Sequence, residues 1–194
     1  MFKNISFIGM AGCGKTTIGK ALSIKLSLSY VDTDQLIENE FKQSLENIKQ
    51  SKGYKFVRQA EEGIILGLSN DVEIISTGGS AVYSESAMSH LKSFSKIIYI
   101  STPLNIIKER IGNGQGRGFA APDGMSIEEV YHERSPLYSK WADETVNGSD
   151  KRTHGGGASA TRGIFGGFGP TPTNTDIDYI TIPTLGNAVD FGNL

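Results

Sequence analysis

The sequence predicts a three-layer α/β/α domain built on a five-stranded parallel sheet, followed by an irregular glycine-rich tail. Three observations predict it. FIGMAGCGKTTIGK at residues 7–20 sets the phosphate-loop spacing G-x-x-x-x-G-K-[ST] between an apolar run and a helical pattern. Strand patterns then alternate with helical ones as far as residue 150, which builds a parallel sheet covered on both faces. Composition breaks there: residues 1–150 hold 15 of the 24 glycines, and the last 44 residues hold 9.

Taken in order, Phe2 to Ile8 alternates apolar and polar residues and closes as a buried first strand. Gly9 to Thr16 is the loop, whose backbone N–H groups wrap the β- and γ-phosphates of a nucleotide. Glycine is needed where side chains would block that approach. Gly12, Cys13, Gly14, Lys15, Thr16 and Thr17 are the candidate ATP-binding residues. Lys15 brings a point charge to the phosphates, and the Thr16 hydroxyl is placed to ligate Mg²⁺. Ile18, Ala21, Leu22 and Lys25 continue as a helix. Ser29 to Asp32 reads as a second strand that delivers Asp32 and Asp34 at its C-terminal end, and Leu36, Ile37 and Phe41 follow helically.

Residues 54–68 carry Phe56, Val57, Ala60, Ile64 and Leu68 at helical spacing, with Arg58 and Glu61 displayed at i, i+3. VEIIS at 72–76 is a third strand, followed directly by Thr77-Gly78-Gly79-Ser80. Residues 84–92 read as a helix, KIIYI at 96–100 as a fourth strand, and 103–111 as a helix opening at Pro103. GNGQGRGFAAPDG at 112–124 reads as a mobile loop with four glycines before Phe119. Ser126 caps the next helix, with Glu129 placed to complete a capping box. Glu144 to Val146 is the fifth strand.

The whole chain narrows the classes of function. A formal net charge of -2 gives no electrostatic footprint for nucleic acid or a membrane surface. No apolar run reaches the roughly 18 residues of a membrane span, and the start does not lead into a signal-peptide core. The one cysteine, Cys13, cannot form an internal disulfide, which fits a reducing compartment. The expectation is a cytoplasmic protein. A catalytic role for the Cys13 thiol is disfavoured, because the loop works through its backbone and no base stands beside it in sequence.

Ligands of such sheets bind beyond the strand C-terminal ends, which gathers the loop, Asp32, Asp34 and Gly78-Gly79 on one edge. The third strand ends Ile74-Ile75-Ser76 without the acid that many phosphate-loop ATPases place there for Mg²⁺. Asp32 is the better candidate for the metal's carboxylate. This argues against motors, GTPases and recombinases and for small kinases that close over two substrates.

The phosphate loop, VDTD at 31–34, Arg58 with Glu61, TGG at 77–79 and ERSPLYSKWAD at 133–143 together resemble the shikimate kinase family over residues 1–150. The resemblance implies strand order 2-3-1-4-5, a lid at 112–124, and a monomer that uses ATP with Mg²⁺ to phosphorylate a carboxylate-bearing alcohol, shikimate first. It implies that Asp34 accepts hydrogen bonds from acceptor hydroxyls and that Asp32 holds Mg²⁺ or orients the attacking hydroxyl. Arg58 and Arg134 grip the acceptor carboxylate, and Gly78 and Gly79 border the acceptor. Arg117 swings over the transferring phosphate as a catalytic group, and Arg110 stacks on adenine.

Each assignment competes with a structural role. Asp34 could cap the helix it begins; Arg58 and Glu61 could form a surface pair; Arg134 could bridge to Glu133 or Asp143; Gly78-Gly79 could be only a tight turn. Gly53-Tyr54 replaces the family's Gly-Glu, Ser80 its third glycine, and Gly118-Phe119-Ala120 the Pro-Leu-Leu after its lid arginine. These departures border the acceptor, so a kinase for another hydroxy acid or sugar acid is one alternative. A nucleotide-binding or virion-associated module without turnover is the other. The boundary is set near Asp150. The tail lacks the family's last helix, and one strand at 176–182 is expected on a sheet edge or another chain.

Overall fold

The structure, a computed structural model, describes residues 4–111 and 120–149, with the backbone of two short strands at 165–166 and 177–178. Its elements are β1 (Asn4–Ile8), α1 (Lys15–Leu26), β2 (Tyr30–Asp32), α2 (Thr33–Phe41), α3 (Leu45–Lys52) and α4 (Tyr54–Leu66). There follow β3 (Ile74–Ser76), a 3-10 turn (Ala81–Tyr83), α5 (Glu85–Phe94), β4 (Ser95–Ser101), α6 (Leu104–Ile111), α7 (Ile127–Trp141) and β5 (Glu144–Asn147). The five strands pair in parallel in the order β2-β3-β1-β4-β5. That is the expected sheet.

Strand periodicity divides the core between the two faces. Ile97 and Tyr99 of β4 join Ile8, Ile75, Met88 and Leu91 on one face, with Ile107 of α6 and Val130 and Tyr138 of α7. Ile98 and Ile100 point the other way, onto Ile5, Phe7, Ile74 and Val146, with Ile18 and Leu22 of α1 packed against them. Both β4 pairs are at least 96% buried, and each fully buried side chain of this size stabilises by about 1.5–3 kcal/mol. The sheet is thereby a rigid base for whatever stands at its C-terminal edge.

A third, smaller core sits beside the sheet. Ile37, Ile48, Val57 and Ala120 pack together, with Phe41, Leu45, Phe56, Ala60 and Ile64 around them. It joins α2, α3 and α4 into a helical wing. Helix α3 is absent from the sequence reading. Ser44 caps it through a hydrogen bond from the Asn47 N–H at 3.3 Å, yet Ile48 is the one residue within it that is buried, so no apolar period marks it. Tertiary burial of one isoleucine and a cap outweigh the missing stripe.

After Asp150 the described backbone consists of β6 (Phe165–Gly166) paired antiparallel with β7 (Ile177–Asp178). Of the expected strand at 176–182 only Ile177–Asp178 is among the described residues, and it takes its partner from the tail itself rather than from the main sheet edge. A local antiparallel pair closes a short loop, which costs less entropy than docking on a distant edge. The first eight residues of the expected lid, including Arg117, and the place of the family's last helix lie outside the described residues. None of the described helices is long and apolar enough to cross a membrane.

Candidate active site

The parallel sheet brings the ends of β1, β2 and β3 to one edge, and the phosphate loop opens there between β1 and α1. Gly9 has φ 145°, and a Cβ on it would stand 2.8 Å from the Ile100 carbonyl oxygen. Gly14 caps α1 at φ 104°. These two positions require glycine. Lys15 is buried and donates from Nζ to the carbonyls of Gly9 at 2.8 Å and Met10 at 2.9 Å. Its ammonium is thus held inside the loop curve, where phosphate oxygens would meet it. Cys13 is buried with Sγ 3.7 Å from Lys15 Nζ, part of the loop's packing. Thr16 and Thr17 are exposed.

Asp32 ends β2 and does two jobs. Its Oδ1 accepts from the Asp34 and Gln35 N–H groups at 3.1 and 3.4 Å, so Asp32, not Asp34, is the N-cap of α2. Its Oδ2 accepts from the Thr16 hydroxyl at 2.8 Å and the Tyr30 hydroxyl at 3.1 Å. Burial, with the neighbouring Asp32 charge assisting, pushes the Tyr30 phenol up to about 12. The Thr16–Asp32 pair is a set of hard oxygen donors at the loop mouth, suited to a divalent cation that shares its shell with phosphate. Among the described residues no cluster of three or more His, Cys, Asp or Glu could hold a metal alone.

Asp34, freed from capping, faces Gly78. A Cβ at Gly78 would collide with Asp34 Oδ1 and Glu61 Oε1, so only glycine leaves room for the two carboxyl groups. Burial raises Asp34 to about 6 against the lowering pull of Lys15, with Asp32 and Glu38 adding to the rise. Burial likewise raises Glu61 to about 7, with Asp34 adding to it and the Ser80 bond, Arg134 and Lys15 opposing. Ser80 Oγ donates to Glu61 Oε2, while Oε1 is buried without a hydrogen-bond partner. The Arg58–Glu61 surface pair is therefore not what α4 presents: Glu61 is 2% exposed and turned inward.

Arg58 turns toward the helical wing's edge. Its Nε donates to the Ala120 carbonyl at 2.9 Å and its guanidinium lies 3.7 Å from the Tyr83 ring centroid. Arg134 is 1% exposed and donates from Nη2 to the same Ala120 carbonyl at 2.9 Å, and from Nε to the Tyr83 hydroxyl at 3.3 Å. The alternative partners are engaged elsewhere: Glu133 accepts from Tyr83 at 2.6 Å, and Asp143 pairs with Lys92 at 3.0 Å. Gly79 stands between the two halves. A Cβ there would be 3.1 Å from Arg134 Nη1 and 3.5 Å from the Ala11 amide nitrogen, and the Gly79 carbonyl accepts from the Tyr138 hydroxyl at 2.6 Å.

Arg110 lies on the far side of the loop. It donates to the Gly12 and Cys13 carbonyls at 3.2 and 3.4 Å and to the Gly148 carbonyl at 2.9 Å. It braces the loop's outer backbone against the end of β5, a role sequence did not mark. Ser80, Glu61, Tyr83 and the Ala120 carbonyl complete the site. Ser80 was marked only as a departure and Glu61 only by its spacing from Arg58; nothing in the sequence marks Tyr83 or Ala120 O.

The family model described as shikimate kinase matches residues 11–161. A shikimate kinase from Sulfurihydrogenibium sp. is 31% identical over 152 residues, 78% of this chain and 90% of that protein. One from Persephonella marina is 33% identical over 141 residues, 71% and 85% of the two chains. Among solved structures, the shikimate kinase from Aquifex aeolicus superposes with a TM-score of 0.65 at 30% identity, covering 76% of this chain and 88% of that one.

Proposed function

This chain belongs to the shikimate kinase family, and from that premise we propose how its residues pass the γ-phosphoryl group of ATP to a hydroxyl of shikimate. The observation that carries the reading is the contact of both halves of the site at Gly79, beside the Ala11 amide of the phosphate loop and Arg134 Nη1. Backbone N–H groups from Gly12 to Thr17 cradle the β- and γ-phosphates. Lys15 exchanges its two loop carbonyls for phosphate oxygens and offsets charge that grows in the transition state.

Thr16 and Asp32 would hold Mg²⁺, whose charge when bound neutralises the β- and γ-oxygens. Asp34 accepts from the acceptor hydroxyls and aligns the attacking one, since a loose phosphoryl transition state asks mainly for positioning. Arg58 and Arg134 take the acceptor carboxylate, which a planar fork of donors matches. Gly78 admits the Asp34 carboxyl, and Gly79 offers its N–H. Arg117 closes over the transferring phosphate, and Arg110 borders the adenine while bracing the loop.

In this reading the protein works as a monomer in the cytoplasm, and the catalytic unit ends near Asp150. ATP turnover measured with shikimate, and with a second hydroxy acid as comparison, tests the function: shikimate-dependent ADP release in equal amount to phosphorylated product is expected. No acceptor-dependent turnover would overturn it. Truncation after Asp150 is expected to leave ATP affinity and Tm unchanged; loss of either moves the boundary into the tail.

A further inference from the structure

Two guanidinium groups stand together on the Ala120 carbonyl, with no ion pair to a carboxylate among the described residues, and like charges so placed repel. Something must hold them. Arg58 comes from α4 and Arg134 from α7, and among the described residues Tyr83 is the side chain that touches both. Its ring face lies under the Arg58 guanidinium at 3.7 Å from centroid to Cζ, a distance at which the ring quadrupole attracts a cation. The Arg134 Cζ lies 5.3 Å from the same centroid. The hydroxyl accepts from Arg134 Nε at 3.3 Å and donates to Glu133 Oε1 at 2.6 Å.

Tyr83 itself has a fixed base. It closes the 3-10 turn that follows Gly78-Gly79-Ser80; its N–H donates to the Ser80 carbonyl at 3.1 Å, and Ala81 and Val82 beside it are buried. The Ala120 carbonyl, accepting from both arginines, is the second fixed point. These bonds engage Nε of Arg58 and Nε and Nη2 of Arg134. Nη1 of Arg134 faces Gly79, 3.1 Å from where a Cβ on that residue would stand.

We propose that Tyr83 is a positioning residue for acceptor binding: it holds Arg58 by its ring and Arg134 by its hydroxyl, so that the pair meets the acceptor's carboxylate already aligned. This rests on the carboxylate role given to the two arginines above. Preorganisation of this kind removes ordering cost from the binding step. Because the carboxylate is gripped alike in ground and transition states, the effect falls on the acceptor's KM and leaves kcat unchanged.

The test is steady-state kinetics of Tyr83→Leu and Tyr83→Phe beside Arg58→Ala, Arg134→Ala and the double variant Tyr83→Leu/Arg58→Ala. Tyr83→Leu is expected to raise the shikimate KM about tenfold while kcat and the ATP KM stay within about twofold. Tyr83→Phe keeps the ring and restores most of the affinity, with KM raised about threefold. In the Arg58→Ala background the leucine variant adds only the part owed to the hydroxyl's hold on Arg134, about threefold, because the ring's partner is already gone. A shikimate KM unchanged in both Tyr83 variants while Arg58→Ala raises it would overturn the proposal and leave the carboxylate reading standing. Unchanged KM in the Arg58 and Arg134 variants as well would overturn both. Equal loss of ATP and shikimate affinity would show Tyr83 to be only a structural support, and should the leucine variant fail to fold, the phenylalanine variant alone decides.

Discussion

In the phosphate loop, eight consecutive residues from Gly9 to Thr16 hold the working atoms, and most of those atoms are backbone. The proposed acceptor side draws Asp34 from α2, Arg58 from α4, Gly79 from the turn after β3 and Arg134 from α7. The loop's shape follows from local φ/ψ demands at glycine. The grip's shape follows from what its side chains touch, and those partners are scattered through the chain: Tyr83 and Ala120 for the arginines, Gly78 for the carboxyls. Local geometry is robust to distant change, whereas an assembled grip inherits every error of its supports.

The sharpest break between the two halves is Lys15→Ala. It removes the one side-chain charge of the loop, and kcat is expected to fall about a thousandfold. The loop backbone, set by Gly9 and Gly14, persists, so Tm stays within about 4 °C of the parent. Stopped activity with an unchanged melting curve is the expected pair of results. Activity within a few-fold of the parent would remove Lys15 from the transition state.

Next come the arginines, which separate the halves by substrate. Arg134→Ala takes the Nε donor from the Tyr83 hydroxyl, leaves the Ala120 carbonyl to Arg58 alone and removes a desolvated charge, a loss of about 2–5 kcal/mol in acceptor binding. Arg58 is only half-buried, so Arg58→Ala is expected to cost less, near tenfold in the acceptor's kcat/KM. Both leave the ATP KM near the parent value. Kinetics with each substrate varied in turn check this, and an effect confined to ATP would reverse the assignment.

The same contrast explains what was legible in the sequence. β1, the loop and α1 form one contiguous signal, and the alternation of strands carried the five-stranded sheet. The strand order and acceptor residues came through family resemblance, because no local period joins Arg58 to Arg134 across 76 positions. Asp32 and Asp34 are equally suited by type to cap α2, and the direction of Asp32 toward the Asp34 and Gln35 N–H groups decides it only in three dimensions. α3 hid because one buried isoleucine makes no stripe. Tyr83 carries no motif, and Arg110's three backbone acceptors lie 38 and about 98 residues away.

The smallest expected effect concerns stability, and it lies wholly on the acceptor side. Burial raises the Glu61 carboxyl from 4.5 to about 7, so the folded chain keeps a proton that the unfolded chain has released. The stability this contributes is complete below about pH 4.5 and is lost as pH rises through about 7. Glu61→Gln keeps an oxygen to accept from Ser80 and cannot ionise. It puts an N–H₂ where Oε1 stands against Gly78 and Asp34, which favours the Asp34 carboxylate. Relative to the parent, the variant is expected to gain on the order of 1–3 kcal/mol at pH 8 and much less at pH 5. In a domain of this size each kcal/mol moves Tm by about 2–4 °C, so melting curves across pH 5–8 resolve the difference. Parallel Tm–pH curves for the two proteins would show that Glu61 stays ionised in the folded state, held by Arg134, Lys15 and Ser80. The phosphate loop offers no counterpart, because its anionic ligand arrives with the nucleotide while the acceptor pocket carries its buried carboxyl groups at all times.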